Sequence, residues 1–148
     1  MSTQNDSSSL LHYLYQQQTL VIDPKRRNGV ILVKPYHAEF AGPGAFIGGN
    51  LDKKVLECHA VGNFAWAYSR TPDELIRALL IRRQWVLLLK QIVNNPHPTE
   101  RAQLILNQMK RWFDSATVST LTIEVFADLV GVLPQTIIAA RQDLSLIF

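Results

Sequence analysis

The stretch IEVFADLVGVLPQTIIAARQ, residues 123–142, carries the reading that decides the fold. Its spacing predicts two short helices, about 123–130 and 134–144, joined by Gly131-Val132-Leu133. Ala127 is small where a second helix would cross the first. Gly131 follows four residues later, at a turn that wants a positive φ, where a side chain would cost energy. Val132 and Ile137 are placed to pin the turn and the second helix to the core. Thr122 can cap the first helix, and Pro134 suits the first position of the second, where no backbone N–H is needed. This is helix-turn-helix spacing. In DNA-binding versions the second helix enters the major groove and its N-terminal side chains meet base edges. Here those are Gln135 and Thr136, with Ala139, Arg141 and Gln142 further along. Glutamine pairs bidentately with adenine, and Arg141 would reach a guanine or a phosphate. The same Ala and Gly spacing also occurs in all-helical cores, so the pattern alone leaves both readings open.

Working upstream, Pro98 to about residue 113 places Ala102, Ile105, Leu106, Met109, Trp112 and Phe113 on one helical face. Residues 114–120 read as a polar loop, and 94–99 as the break before this helix. A longer helix opens at Thr71-Pro72-Asp73-Glu74, with a Thr cap, a first-turn Pro and two early acids, and runs to about Val93. Along it Ala78, Ile81, Trp85, Leu88 and Ile92 follow 3-4-3-4 spacing, a coiled-coil-like seam. A second apolar stripe runs through Ile76, Leu80 and Leu87, beside Leu79, Val86 and Val93. A helix apolar on two sides is buried on two sides. Either it is a central core helix, or one stripe meets its own domain and the other the same helix of a second subunit; on the second reading the 78–92 seam is assigned to the dimer.

From Thr19 to Ser69 the period is that of strands. Thr19–Ile22 and Gly29–Val33 are β-branched runs separated by a charged turn, and Val55–Ala60 and Phe64–Tyr68 are two more, hinged at Gly62-Asn63. Gly42-Pro43-Gly44 and Gly48-Gly49-Asn50 punctuate the segment around Phe46-Ile47. Residues 1–9 are polar and Ser-rich and are expected to be a disordered tail, with a short helix starting near Leu10.

Composition bounds the function. The chain has 148 residues, 47% apolar and 18% charged, which is globular rather than fibrous or disordered. Apolar runs stop at five residues, far short of the roughly 20 a membrane-spanning helix needs. The N-terminus lacks a cationic segment followed by an apolar one, so a cytoplasmic protein is expected. One cysteine, Cys58, excludes an internal disulfide and a thiolate cage. The net charge is +3, but residues 115–148 hold only Arg141 against Glu124, Asp128 and Asp143, for −2. Phosphate contacts would therefore draw on Lys110-Arg111 or Arg82-Arg83. Cys58-His59 is no dyad, because neighbours on a strand face opposite ways. Gly42-Pro43-Gly44 lacks the Gly-Lys-Ser/Thr ending of a phosphate loop. Asp23, Glu39, Asp52 and Glu57 show no pairing, and Lys25-Arg26-Arg27 reads as a solvated turn. No enzyme chemistry, metal or cofactor is expected.

Pro98-Thr99-Glu100-Arg101-Ala102 through Leu106, then Leu121-Thr122, Phe126 to Val132 and Gln135-Thr136-Ile137, together resemble the C-terminal domain of the Crp/Fnr family of bacterial regulators. Gly44-Ala45-Phe46-Ile47-Gly48 is similar to a turn of that family's cyclic-nucleotide-type β-roll, and Phe64–Ser69 to its last strand. The resemblance covers about residues 29–144. It implies an α+β fold with a small antiparallel β-roll (10–70), a long dimerisation helix (71–95) and a C-terminal helix-turn-helix (96–148) of winged-helix type with the wing truncated. It also implies a homodimer on a palindromic double-stranded DNA operator, with Thr122, Gln135, Thr136, Ala139, Arg141 and Gln142 as the contacting residues. The roll is about half the family's length, and Gly49 stands where a ribose-binding glutamate is expected. Cyclic-nucleotide control is therefore not expected. The acidic C-terminal segment and the apolar Ile123 and Val125, where polar residues are usual, raise an alternative: a protein-interaction module that has lost DNA contact.

Overall fold

The computed structural model describes the backbone of residues 7–147 and side chains from 9 to 142. In chain order the elements are α1 (Ser7–Tyr15), β1 (Thr19–Ile22), β2 (Asn28–Val33), β3 (Ala38–Ala41), β4 (Phe46–Gly48), β5 (Glu57–Gly62) and β6 (Trp66–Tyr68), followed by helices only. These are α2 (Pro72–Val93), α3 (Pro98–Trp112), α4 (Ser115–Ser119), α5 (Ile123–Val130) and α6 (Pro134–Ile147). The fold is α+β, with two small antiparallel sheets. The chain divides into two compact units, Met1–Leu87 and Leu88–Phe148. No single helix among the described residues is long and apolar enough to cross a membrane.

In the first unit the sheets are β4-β1-β6 and β3-β2-β5, three strands each. Leu20 and Ile22 of β1 share one apolar cluster with Val30 and Leu32 of β2, and Leu10 and Leu14 of α1 join the same cluster. The charged turn between β1 and β2 is anchored by Asn28, which is fully buried. Its Nδ2 donates to the carbonyls of Asp23 (3.0 Å) and Arg26 (2.9 Å), and its Oδ1 accepts from the Ala65 amide. An asparagine is needed here because it is both donor and acceptor.

Several expectations change. The first six residues of the expected tail lie outside the described residues, whereas Ser7–Ser9 open α1. Ala38–Ala41 forms a strand that shows no β-branched run. The expected loop 114–120 contains α4, capped by Asp114, whose Oδ1 accepts from the Thr117 amide at 2.7 Å. A side-chain cap makes a polar segment helical where hydrophobic period gives no hint.

Three charged residues expected to be unpaired, or available for DNA, turn out to be joined. Arg82 of α2 is 3% exposed. It donates to both Asp52 oxygens at 2.9 Å, to Glu39 at 3.1 Å and to the Phe46 carbonyl at 3.1 Å. Lys34 adds contacts to Glu39 (2.7 Å) and Asp52 (3.3 Å), and the Gly48 amide donates to Asp52 at 2.7 Å. Burial would raise the Glu39 carboxyl, but its hydrogen bond to Lys34 and the Arg82 charge outweigh burial and bring it down to about 2. Burial likewise works against the Arg82 charge, and Asp52 and Glu39 more than restore it.

Removing one member of such a buried set strands the others without a counter-charge. Arg82→Met is expected to cost about 3–5 kcal/mol in denaturant unfolding, the usual range for a broken buried pair. A cost below 1 kcal/mol would show that the network contributes little. Because folding lowers the Glu39 pKa, its share of stability is present above the ordinary carboxyl range and lost as pH falls through that range towards 2. Glu39→Gln should flatten the loss of stability between about pH 5 and 2, measured by thermal unfolding across that window.

Candidate nucleic-acid interface

In the second unit, α5 begins at Thr122, whose Oγ1 accepts from the Val125 amide at 3.2 Å, as the sequence predicts. It ends at Gly131, which adopts φ 67 and ψ 45, the left-handed region. The amides of Gly131 and Val132 both donate to the Ala127 carbonyl, at 2.9 and 3.1 Å. A Cβ on Gly131 would meet nothing within 4 Å. The glycine is therefore required by backbone angle and not by space. Pro134 then opens α6, which is bent 108° from α5 across the three-residue connection.

A residue that the sequence reading left without a role holds this turn in place. Arg101 of α3 donates through Nε to the Val130 carbonyl (2.9 Å), through one terminal nitrogen to Gly131 (3.2 Å) and through the other to Asn95 (2.7 Å). It thus satisfies carbonyls at the end of α5, where the helix dipole favours a cation. Ala102, Ile105, Leu106, Met109 and Phe113 are buried as predicted, and Trp112 is half-buried.

On α6, Gln135, Ile138, Ala139 and Gln142 are exposed, at spacings of three and four residues that form one stripe. Ile137 and Ala140 are fully buried beneath it. Thr136 is half-buried. Arg141 departs from expectation. Its guanidinium lies 5.5 Å from the centre of the Phe126 ring, a cation–π contact on the flank of the helix, so it does not share the outer stripe. Val125 also departs, because it is 3% exposed and belongs to the core and not to an outer face. The stripe carries no charge, and Glu124 and Asp128 of α5 are exposed.

The dimer seam requires a correction. Ala78 is buried, and Ile81 and Trp85 pack against the first unit's core cluster. The Trp85 indole occupies the space a Gly42 side chain would need and meets Phe40 edge to face at 5.3 Å. Ile92 is buried at 8% exposure, and of the five only Leu88 is open, at 44%. The sheets must cover their own apolar faces first, and the 78-81-85 positions do so. The other stripe is left outside, with Ile76 and Leu80 each 57% exposed and Leu87 45%.

Other chemistry is sparse. Burial, with the Asp52 charge adding to it, pushes the Cys58 thiol up to about 12, so it has no thiolate character near neutral pH. Among the described residues no group of three or more His, Cys, Asp or Glu is placed to hold a metal ion. No protein-family model matches the chain, and no curated protein matches it either.

Gly131→Ala should destabilise the protein by about 1–2 kcal/mol, the cost of holding an L-residue in the left-handed region. Gly131→Asn should cost less, since asparagine tolerates that conformation. Equal costs for the two in denaturant unfolding would mean that backbone angle is not the reason for the glycine.

Proposed function

We propose that the chain is a sequence-specific DNA-binding transcription regulator of the Crp/Fnr type, working as a homodimer in the cytoplasm of a bacterium. The observation that carries this reading is the α5–α6 pair. Its 108° bend, its left-handed glycine and the Thr122 cap at the start of α5 match a helix-turn-helix, in which the helices cross at about 90–120°. On this reading α6 is the recognition helix and Gln135 reads an adenine edge, with Ala139 and Gln142 on the same face. Thr122 stands at the start of α5 as a backbone contact. Arg141 supports the helix by its contact with Phe126 instead of reading a base. Phosphate contacts on this reading draw on Lys110 and Arg111 of α3, which are exposed, whereas Arg82 is buried inside the first unit.

The second copy docks on the outward stripe of α2. Ile76, Leu80 and Leu87 sit at intervals of four and seven residues, with exposed Arg83 filling the heptad position between the last two. An exposed apolar row of this kind marks an interaction surface. This function does not include cyclic-nucleotide control, because the loop after Gly48 turns Asp52 inward, where it is buried and paired with Arg82.

A second reading rests on one observation. Leu133 is 69% and Ile138 41% exposed, next to Gln135 and Ala139, so the outer side of α6 is partly apolar and uncharged. That surface also suits a protein partner.

Selection of bound duplexes from a random pool is expected to enrich a two-fold-symmetric site with half-sites about 34 Å apart. Gln135→Ala should weaken binding to that site by about 1–3 kcal/mol and relax preference at one base pair. Failure of a folded protein to enrich any site would overturn the DNA reading in favour of the protein-partner one. Independently, Leu80→Asp should leave the fold intact and convert the dimer to monomer by sedimentation. A variant that stays dimeric would remove α2 from the interface.

A further inference from the structure

We infer that the first unit binds a small apolar carboxylate in a cleft between the outer face of its β4-β1-β6 sheet and the first half of α2. This inference uses only residues 21–81 and stands apart from the DNA reading.

The cleft encloses about 520 Å³, within the usual range of about 300–1,000 Å³ for small-molecule sites. Val21 and Ala67 line its sheet side. These two are cross-strand partners and so share a face, and the neighbouring Trp66 lines the cleft as well. Ala78 and Ile81 line its helix side. Gly44 closes one end, where a built Cβ would stand only 3.1 Å from the Ile81 side chain. The mainly apolar lining suits a hydrocarbon body.

Charge in the lining decides the head group. Lys25, Arg77, Asp23 and Glu74 belong to it. Asp23 is already engaged: one oxygen accepts from the Lys25 amide at 2.8 Å, and the other pairs with Arg26 at 3.4 Å. Among the described residues the side chains of Lys25, Arg77 and Glu74 make no ion pair, although Glu74 and Arg77 stand only three positions apart on α2. Two cations and one carboxylate remain, for a surplus of one positive charge. A monoanion satisfies that balance. A phosphate monoester, close to doubly charged at neutral pH, would set its second charge against Glu74. A guanidinium fork is matched to a carboxylate.

The test uses 2-naphthoate as the probe, titrated into the full-length, isotope-labelled protein and followed by amide NMR. Shifts should be confined to Val21, Lys25, Ala67 and the Arg77–Ile81 turn. The neutral 2-naphthalenemethanol and the dianionic 2-naphthyl phosphate should bind more weakly. Lys25→Ala with Arg77→Ala should lower naphthoate affinity about tenfold or more, the loss expected for charge-assisted contacts. These two side chains are exposed, so the pair of changes leaves folding undisturbed; Ala67→Leu provides a second arm by filling the cleft without touching charge. No shift at millimolar probe, shifts elsewhere, equal binding of the alcohol, tighter binding of the phosphate, or unchanged affinity in both variants would each overturn the inference.

Discussion

A guanidinium that is 3% exposed must find acceptors inside the protein, and Arg82 finds them on three different segments. Glu39 comes from β3, Asp52 from the loop after β4, and the Phe46 carbonyl from β4 itself, while the arginine belongs to α2. The two sheets of the first unit are thereby tied to one helix through one side chain. Apolar burial supplies the drive for collapse but is non-directional. A buried ion set is directional, and its members tolerate no other arrangement without stranding a charge. It is best understood as the element that fixes which face of α2 turns inward.

That choice propagates. With Arg82, Ala78 and Trp85 facing in, Ile76, Leu80 and Leu87 must face out, because 100° per residue leaves no alternative. The cleft beside Arg77 and the apolar stripe at Leu80 thus lie on different sides of a single helix whose rotation is set by a salt-bridge network. The second unit uses the same device on a smaller scale. Arg101 binds backbone carbonyls at the end of α5 and in the α2–α3 connection, so a side chain again fixes the geometry of main-chain segments far apart in sequence.

Most helices and strands were legible in the sequence because their signals are local. The Thr71 and Thr122 caps, the proline starts and the left-handed Gly131 appear where the spacing predicts them. The face assignment of α2 was not legible. Two apolar stripes of similar quality compete, and only the shape of the sheets beneath selects one. One signal was nevertheless present: Arg82 stands four residues from Ala78 and three from Trp85, a cation on the wrong side of an apolar seam. Its partners Asp52 and Glu39 are 30 and 43 residues away, beyond any spacing rule. The same holds for Arg141, whose ring partner Phe126 lies across a turn and takes it off the outer stripe.

The network at Arg82 also constrains how this chain can change length. A single inserted residue between Thr71 and Arg82 would advance the helix by about 1.5 Å and turn everything after it by about 100°. The guanidinium would leave Asp52, and Ala78 or Ile81 would meet solvent. Loops such as 49–56 have no such phase to keep, apart from Asp52 and Val55. Insertions and deletions are therefore expected to accumulate in the surface turns of the first unit and to be purged from α2. Between Thr71 and Arg82 the length of this sequence is as constrained as its composition.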